Sequence, residues 1–170
     1  MGDDVHLPDE KPAHFVFISA LYCDKYEVSI RKWLEVSDWA LANGYTFDSR
    51  VLTAKKGPSY SPDPMRHPMN MVTWYDAVKW SNARSQKEGR SPVYFVDTEH
   101  TQVYRKGDLD LSNKHVNWFS SGYRLPTEAE WEKVGRGGLL GLDYPWGNNL
   151  DGSRGNYRLS GDPFDNGSTP

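Results

Sequence analysis

The sequence is short of cysteine, of basic runs and of long apolar stretches. Cys23 is the single cysteine among 170 residues, which excludes an intrachain disulfide framework. No stretch approaches the roughly 20 apolar residues that a membrane-spanning helix needs, and no signal peptide is recognisable. The net charge is −3 and basic residues do not cluster, so neither nucleic acid nor a membrane is expected as a partner.

Aromatic residues make up for a low hydrophobic content. Hydrophobic residues account for 37% of the chain, yet aromatic residues reach 14%, with seven Trp and ten Tyr. Large rings bury more area per side chain than Val or Leu, so a chain of this length can still bury a core. Fifteen Gly and eleven Pro indicate many turns. The composition predicts a loop-rich α+β domain, and the absence of linkers and repeats predicts a single one.

Two segments in the first half of the chain carry helix-start signals. Ser29 precedes an apolar stripe at helical spacing, which predicts a helix running to about Asn43. Thr73 precedes a second helix that should end at Gly89. Asp76 lies at the third position of that helix, where a carboxylate favours the positive helix end.

A third predicted helix has more sequence signals for its start and end than any other segment. Thr127 and Glu130 have the spacing of a capping box. Pro126 disfavours an earlier start, and Gly137 supplies the positive φ at which the helix should end. The tight aromatic turn at 144–147 follows.

Strand signals are shorter and weaker. Alternating apolar residues predict a strand over 14–22, and a short antiparallel pair is expected over 93–96 and 102–105. A further short strand is predicted over 116–118. Residues 46–68 lack periodicity and contain four prolines, which predicts a long surface loop.

Together these blocks closely resemble the signature of formylglycine-generating enzymes, the sulfatase-modifying-factor family. The resemblance is carried by a set of segments in the family's order: 22–29, 67–77, 122–132, 136–138 and 144–147. It implies the formylglycine-generating-enzyme type of fold, a variant of the C-type-lectin-like fold. Two to three main helices, short antiparallel strands and long loops are expected, and the family likeness is to bacterial-type members.

The resemblance also implies that the chain spans only the first half to two thirds of a family domain. Met1 and Gly2 match an interior position of the family pattern, and 155–163 matches a mid-domain stretch. Residues 1–170 are therefore interpreted as one incomplete domain. Aromatic faces would then be left uncovered, which predicts self-association or completion by a partner chain.

The cysteine ligands on which the family's copper chemistry depends are not found in this sequence. The resembling enzymes oxidise a sulfatase cysteine with oxygen and with copper held by two cysteines, and Cu(I) needs such soft ligands. Both of those cysteines fall in the absent part, and Cys23 matches neither. No catalytic or cofactor-binding residue is therefore assigned, and Cys23 is interpreted as a small, half-buried hydrophobe. Copper is expected only if the absent part carries the cysteine pair.

Calcium is the cofactor that the resemblance favours for residues in this chain. Asn156 and the main-chain carbonyl of Tyr157 match the first positions of a structural calcium site in the family. Hard oxygen ligands suit that ion. Asp162 and Asp165 follow but align with no later ligand, and an ordinary Asn-, Asp- and Gly-rich turn is the alternative.

The polar residues of the third helix block are interpreted as structural. Glu130 should cap its helix, and Glu128 and Glu132 do not form a pair for acid–base work. Arg124 is expected to form an ion pair with Glu27 or Glu130. Replacement of Arg124 by Ala should therefore lower the melting temperature.

The remaining candidates are aromatic or imidazole side chains. Trp74, Trp131 and Trp146 are predicted to lie in the core, with a sugar or peptide platform as the alternative. The five histidines lie at no metal-ligand spacing: His6, His14, His67, His100 and His115.

Three functional readings follow. The first is a formylglycine-generating-enzyme-like domain, an oxidoreductase acting on a protein or peptide if the whole protein holds the cysteine pair. The second is a non-catalytic binding module, since function resides in sites grafted on folds. The third is a fragment completed by self-association or by a partner. The compartment is left open, with a secreted or periplasmic location compatible with the intact protein.

Overall fold

A computed structural model describes most of the first 149 residues of the chain. The described residues are 1–2, 11–48, 62–139, 141–142, 144–149 and 154. The chain divides into two compact units. We call Asp24–Leu125 the central unit, and Met1–Cys23 together with Pro126–Pro170 the terminal unit. The prediction of a single domain stays a prediction.

Two capped helices build the central unit, as the sequence predicts. Helix α1 spans Ile30–Ala42, and the Ser29 hydroxyl accepts a hydrogen bond from the main-chain N–H three residues on, at 3.2 Å. Helix α2 spans Trp74–Lys87, and the Thr73 hydroxyl does the same at 3.1 Å. Each hydroxyl satisfies a donor that a helix start leaves open. None of the described helices is long and apolar enough to cross a membrane.

The two helices pack through a pair of tryptophans. The rings of Trp33 and Trp80 are stacked, with centroids 5.2 Å apart and planes 6° apart. The Trp80 indole N–H donates to the carbonyl of Trp33 at 3.0 Å, so the polar end of the ring is satisfied inside the core. Around them lies one buried cluster: Trp33, Val36, Ala40, Tyr45, Trp80 and Ala83.

Asn82 joins α2 to the loops on its other side. Its side-chain NH₂ donates to the carbonyls of Tyr94 and Tyr104, at 2.7 and 3.2 Å. Its side-chain oxygen accepts from the main-chain N–H groups of Val93 and Tyr94, at 2.9 and 3.0 Å. The Asn82 side chain thereby takes the place of a neighbouring strand beside a second buried cluster: Val78, Val93, Tyr94 and Tyr104.

The predicted strands are reduced to isolated bridges or are not formed. Phe95 pairs with Val103, and Tyr94 pairs with Val116, each as a single antiparallel bridge. The expected partners are therefore correct but the strands are too short to form a ladder. The strand predicted over 14–22 is wrong, because those residues carry no strand. Only His14 exchanges main-chain hydrogen bonds with another described residue, Met1; no neighbouring strand among the described residues continues this pairing, and alternation alone does not make a strand.

The terminal unit contains helix α3, over Glu128–Arg136. Its capping box is confirmed: Glu130 N–H donates to the Thr127 hydroxyl at 3.3 Å, and Thr127 N–H donates to the Glu130 carboxylate at 2.8 Å. Gly137 ends the helix in the left-handed region, with φ of 59°. This conformation favours glycine because residues with a Cβ rarely adopt a positive φ.

Two of the tryptophans predicted to be core are exposed. The side chain of Trp74 is 47% exposed and that of Trp131 is 70% exposed, so the core prediction is wrong for both. Trp74 is the first residue of α2, and α3 has no buried residue at all. Helical spacing shows which residues share a face, but it does not show whether another element covers that face.

Candidate functional site

The sequence signature forms the framework of the terminal unit. The Glu130 carboxylate is occupied by the main chain of its own helix start, which fits the structural interpretation rather than acid–base work. Trp146 is half-buried; its ring stacks on Tyr144 with centroids 5.6 Å apart. Its indole N–H donates to the carbonyl of Asn149 at 3.0 Å. These contacts close the aromatic turn locally.

Arg124 lies at the end of the central unit. Its guanidinium carbon is 5.0 Å from the ring centroid of Trp118, within the range of a cation–π interaction. It also donates to the carbonyl of Leu125 at 3.1 Å. The expected ion pair with Glu27 or Glu130, and the effect of Arg124→Ala, stay predictions.

The described residues do not fit a two-thiolate copper site. Cys23 is exposed, so its interpretation as a half-buried hydrophobe is wrong; it lies in an uncovered segment. Within the described ranges, no group of three or more His, Cys, Asp or Glu side chains is arranged to hold a metal ion. The calcium candidates Asn156 and Tyr157, with Asp162 and Asp165, lie outside the described residues.

The central unit has a cleft of about 600 Å³ beside the start of α1. Its lining combines cations with carboxylates and includes Asp24, Lys25, Glu27, Lys32, Arg66 and Arg84. The guanidinium of Arg84 lies over the ring of Tyr123, 3.8 Å from the centroid. It also donates two hydrogen bonds to Asp24, one to each carboxylate oxygen, at 2.5 and 3.2 Å. A planar guanidinium suits both contacts, as an ammonium would not.

Arg84 and Glu88 favour each other's ionised forms. Burial alone would lower the pKa of Arg84, but hydrogen bonds and charge from Asp24 and Glu88 raise it above its ordinary value. Burial would likewise raise the pKa of Glu88. Hydrogen bonds from Tyr123 and Arg84 outweigh burial and lower the Glu88 pKa. Both shifts move the pKa of Arg84 and of Glu88 away from neutrality, so these two side chains are suited to fixing the cleft wall and not to acid–base chemistry.

A second charged pair is buried on α2. The side chains of Asp76 and Lys79 are 1% and 2% exposed, and Lys79 Nζ lies 3.1 Å from the Asp76 carboxylate. The same ammonium donates to the carbonyl of Gly107 at 3.0 Å. An unpaired charge at this depth would be costly. The pair therefore serves the fold by fixing the loop at Gly107 to α2.

Sequence reasoning missed the Arg84 cluster, the Lys79 pair and Asn82. The i,i+4 spacing of Arg84 and Glu88 is a signal that was available. Tyr123 and Asp24 both stand in the family-like blocks, but no spacing links residues so far apart in the chain. From sequence alone, an Asn and a Lys inside a helix are expected to be exposed to solvent.

Comparison with known proteins finds one matching family and several relatives. A family model described as "Sulfatase-modifying factor enzyme 1-like domain" matches residues 1–167. A formylglycine-generating enzyme of Thermomonospora curvata is 51% identical over 157 residues, covering 89% of this chain and 48% of the relative. A protein described as "Chaperone protein LppX" from Paenibacillus barcinonensis is 33% identical over 137 residues, covering 77% of this chain and 41% of the relative.

A solved structure is also similar. The crystal structure of CarF has a TM-score of 0.53 and 30% sequence identity, over 66% of this chain and 42% of that chain. The chain thus spans less than half the length of the two curated relatives and of this structure.

Proposed function

The chain belongs to the sulfatase-modifying-factor family, and from that premise we propose that its protein takes part in oxidising a sulfatase cysteine to formylglycine. The observation that carries the proposal is the 51% identity with a formylglycine-generating enzyme over 157 residues. The predicted fold is confirmed: it is of the formylglycine-generating-enzyme type, loop-rich, with three α-helices among the described residues.

In this proposal the 170 residues supply scaffold and surface, not the metal ligands. A copper site of two thiolates needs two cysteines, and Cys23, the single cysteine in the sequence, matches neither cysteine of the family pair. The central unit offers a cleft with fixed charges at its wall. Beside the paired Arg84 and Asp24, the lining contains Lys25, Glu27 and Arg66, and side chains of both signs suit a polypeptide substrate that carries charges of both signs.

The proposal is tested by assaying the whole encoded protein for formation of an aldehyde in a sulfatase peptide. The encoding gene is read on both sides of the 170 residues, and the whole encoded protein is incubated with a cysteine-containing sulfatase peptide, copper and air. We expect an aldehyde product, detected by mass spectrometry and by reaction with a hydrazide. A peptide with Ser in place of the target cysteine and an oxygen-free sample are the controls. An unchanged peptide after incubation with the copper-loaded whole protein would overturn the proposal.

A Cys23→Ser variant tests whether the thiol of Cys23 takes part in the reaction. Because Cys23 is exposed and matches neither family cysteine, this variant should convert the peptide at the rate of the unchanged protein. A large loss of conversion would show that Cys23 takes part in the reaction.

A binding module without catalysis is the second candidate. It is favoured by the 33% identity with a relative described as a chaperone protein and by the lack of a metal-capable cluster among the residues that the structure describes. It predicts binding of the same peptide, measured by calorimetry, with no aldehyde formed. A protein that neither binds nor converts the peptide would contradict both candidates.

A further inference from the structure

Two polar atoms of α1 are buried in the central unit without a hydrogen bond. Among the described residues, the indole N–H of Trp33 and the hydroxyl of Ser37 have no hydrogen-bond partner. Trp33 is 3% exposed and Ser37 is 1% exposed. The large majority of buried polar side-chain atoms in proteins are paired with the protein or with ordered water. Two unpaired atoms on one helix therefore require an explanation.

The two residues lie on the same face of α1. They are four positions apart, which places one a single helical turn from the other. The face packs on α2, where Trp33 stacks on Trp80. Ser37 is the one residue with a polar side-chain end besides Trp33 among the buried residues of α1. The Cα–Cβ bond of a helical residue leans towards the N-terminus, so the Ser37 side chain leans towards the turn that carries Trp33.

Ser37 lacks its partner for a reason that the structure shows. A buried serine in a helix can donate to the carbonyl four residues back, as Ser81 and Ser85 of α2 do, at 2.8 and 2.7 Å. For Ser37 that carbonyl belongs to Trp33, and it already accepts from the Trp80 indole N–H at 3.0 Å. It also accepts the regular helical hydrogen bond. Both lone pairs of the oxygen are thus taken, and the hydroxyl has to bond elsewhere.

The two unpaired atoms define the chemistry of an occupant. An indole N–H only donates, whereas a hydroxyl can donate and accept. The occupant must therefore bring an acceptor for Trp33 and can exchange a hydrogen bond with Ser37 in either direction. A metal cation is unsuitable, because it would face the positive end of the N–H bond. A water molecule meets both requirements with one oxygen, and buried waters usually have roughly two to four polar partners.

We propose that one internal water molecule binds between the indole N–H of Trp33 and the hydroxyl of Ser37. Its oxygen accepts from Trp33, and it exchanges a second hydrogen bond with Ser37. The water fixes which edge of the Trp33 ring faces Ser37, because turning the ring over would bury the N–H against apolar side chains. It is therefore part of the packing of α1 on α2, and the proposal does not depend on formylglycine formation.

The first test locates the molecule directly. A high-resolution crystal structure of the whole encoded protein should show a water oxygen at about 2.7–3.2 Å from both Trp33 Nε1 and Ser37 Oγ. In solution, magnetic cross-relaxation with water should be seen for the indole proton of Trp33. Trp80 is the matched internal control, since its indole N–H donates to a carbonyl and should show no such contact. A map without water between the two atoms, or a Trp33 indole proton without a water contact, would overturn the proposal.

The second test uses the sign of a stability change. If the water pairs with the hydroxyl, Ser37→Ala removes one of its partners, and the unfolding equilibrium constant should rise about fivefold or more. If the hydroxyl is unpaired, the same change removes an unsatisfied buried group and should lower that constant. Urea denaturation of the whole encoded protein measures the difference. Ser81→Ala is the matched control, because its hydroxyl has a carbonyl partner at 2.8 Å and its loss should raise the constant.

The same variant shows whether one molecule serves both atoms. In Ser37→Ala the water contact of the Trp33 indole proton should weaken or disappear, whereas in Ser81→Ala it should persist. Near-ultraviolet circular dichroism shows that each variant keeps its stacked tryptophans. A Ser37→Ala protein that is as stable as the unchanged protein or more stable would overturn the proposal. So would an unchanged water contact at Trp33 in that variant.

Discussion

At the scale of single residues, Asn82 connects α2 to two loop segments through four hydrogen bonds. Asn82→Ala would remove the side-chain partner of the buried Val93 N–H and Tyr104 carbonyl, together with both of its hydrogen bonds to the main chain of Tyr94. Each unsatisfied buried group costs about 1–3 kcal/mol. We expect the free energy of unfolding to fall by about 3 kcal/mol or more, measured by urea denaturation.

Asn70→Ala is the matched control for that change. Asn70 is exposed in the segment before α2, and an exposed substitution away from special features changes stability by no more than about 0.5 kcal/mol. Equal effects of the two substitutions would show that the buried hydrogen bonds of Asn82 do not hold the loops.

Glu88 gives the central unit a dependence on pH. Its carboxylate accepts from Arg84 at 3.2 Å and from the Tyr123 hydroxyl at 2.5 Å, and its pKa in the folded state is lowered from 4.5. A lowered pKa stabilises the fold above the unfolded-state value, and this stability is lost as the pH falls through the folded-state value. Glu88→Gln should therefore destabilise the protein at pH 7.

The difference between Glu88→Gln and the unchanged protein should shrink as the pH falls below about 4.5. Denaturant melts at a series of pH values measure this, with Glu99→Gln as an exposed control. A difference in unfolding free energy that is constant from neutral to acid pH would contradict a charge-based role for Glu88.

Helix capping could be predicted from the sequence, whereas the burial of individual side chains could not. Ser29, Thr73 and Thr127 cap their helices as predicted, because capping involves only the residues within three positions. Trp131 was predicted to be buried and is exposed, because burial depends on an element distant in the chain. The roles of Asn82 and Lys79 were missed for the same reason.

At the scale of elements, α3 differs from α1 and α2 in how it is stabilised. Helices α1 and α2 bury apolar faces against each other, but α3 has no buried residue. Short helices without tertiary packing are marginal in water. The capping box and the Gly137 terminus therefore contribute to the stability of α3, beside polar contacts such as the hydrogen bond from Lys133 Nζ to the carbonyl of Ile18 at 2.8 Å.

Thr127→Ala should loosen α3. The change removes the hydroxyl that accepts from Glu130 N–H, at a cost of about 1 kcal/mol in helix stability. Hydrogen exchange at the amides of Glu130 and Trp131 should accelerate by about fivefold, as 1 kcal/mol implies, if the helix opens locally. Thr127→Ser keeps the hydroxyl and is the control. Unchanged exchange in Thr127→Ala would show that other contacts hold the helix start.

Strands were the least predictable elements. The residues around Phe95 and Val103 pair as expected but form single bridges. Alternation over 14–22 predicts a strand only if a neighbour is present. A helix satisfies its hydrogen bonds within its own segment, whereas a strand depends on a partner elsewhere. This difference explains why three helices were placed well and the strands were not.

At the scale of the whole molecule, both described core clusters lie in the central unit. Its helices, bridges and buried pairs join residues within Asp24–Leu125. A segment with its own core can fold alone. We therefore expect a polypeptide of residues 24–125 to fold cooperatively. The stacked pair of Trp33 and Trp80 supplies a near-ultraviolet circular dichroism signal that reports its native packing, and Trp33→Phe identifies that signal. A fragment that lacks this signal and melts without a cooperative transition would show that the central unit requires the terminal unit in order to fold.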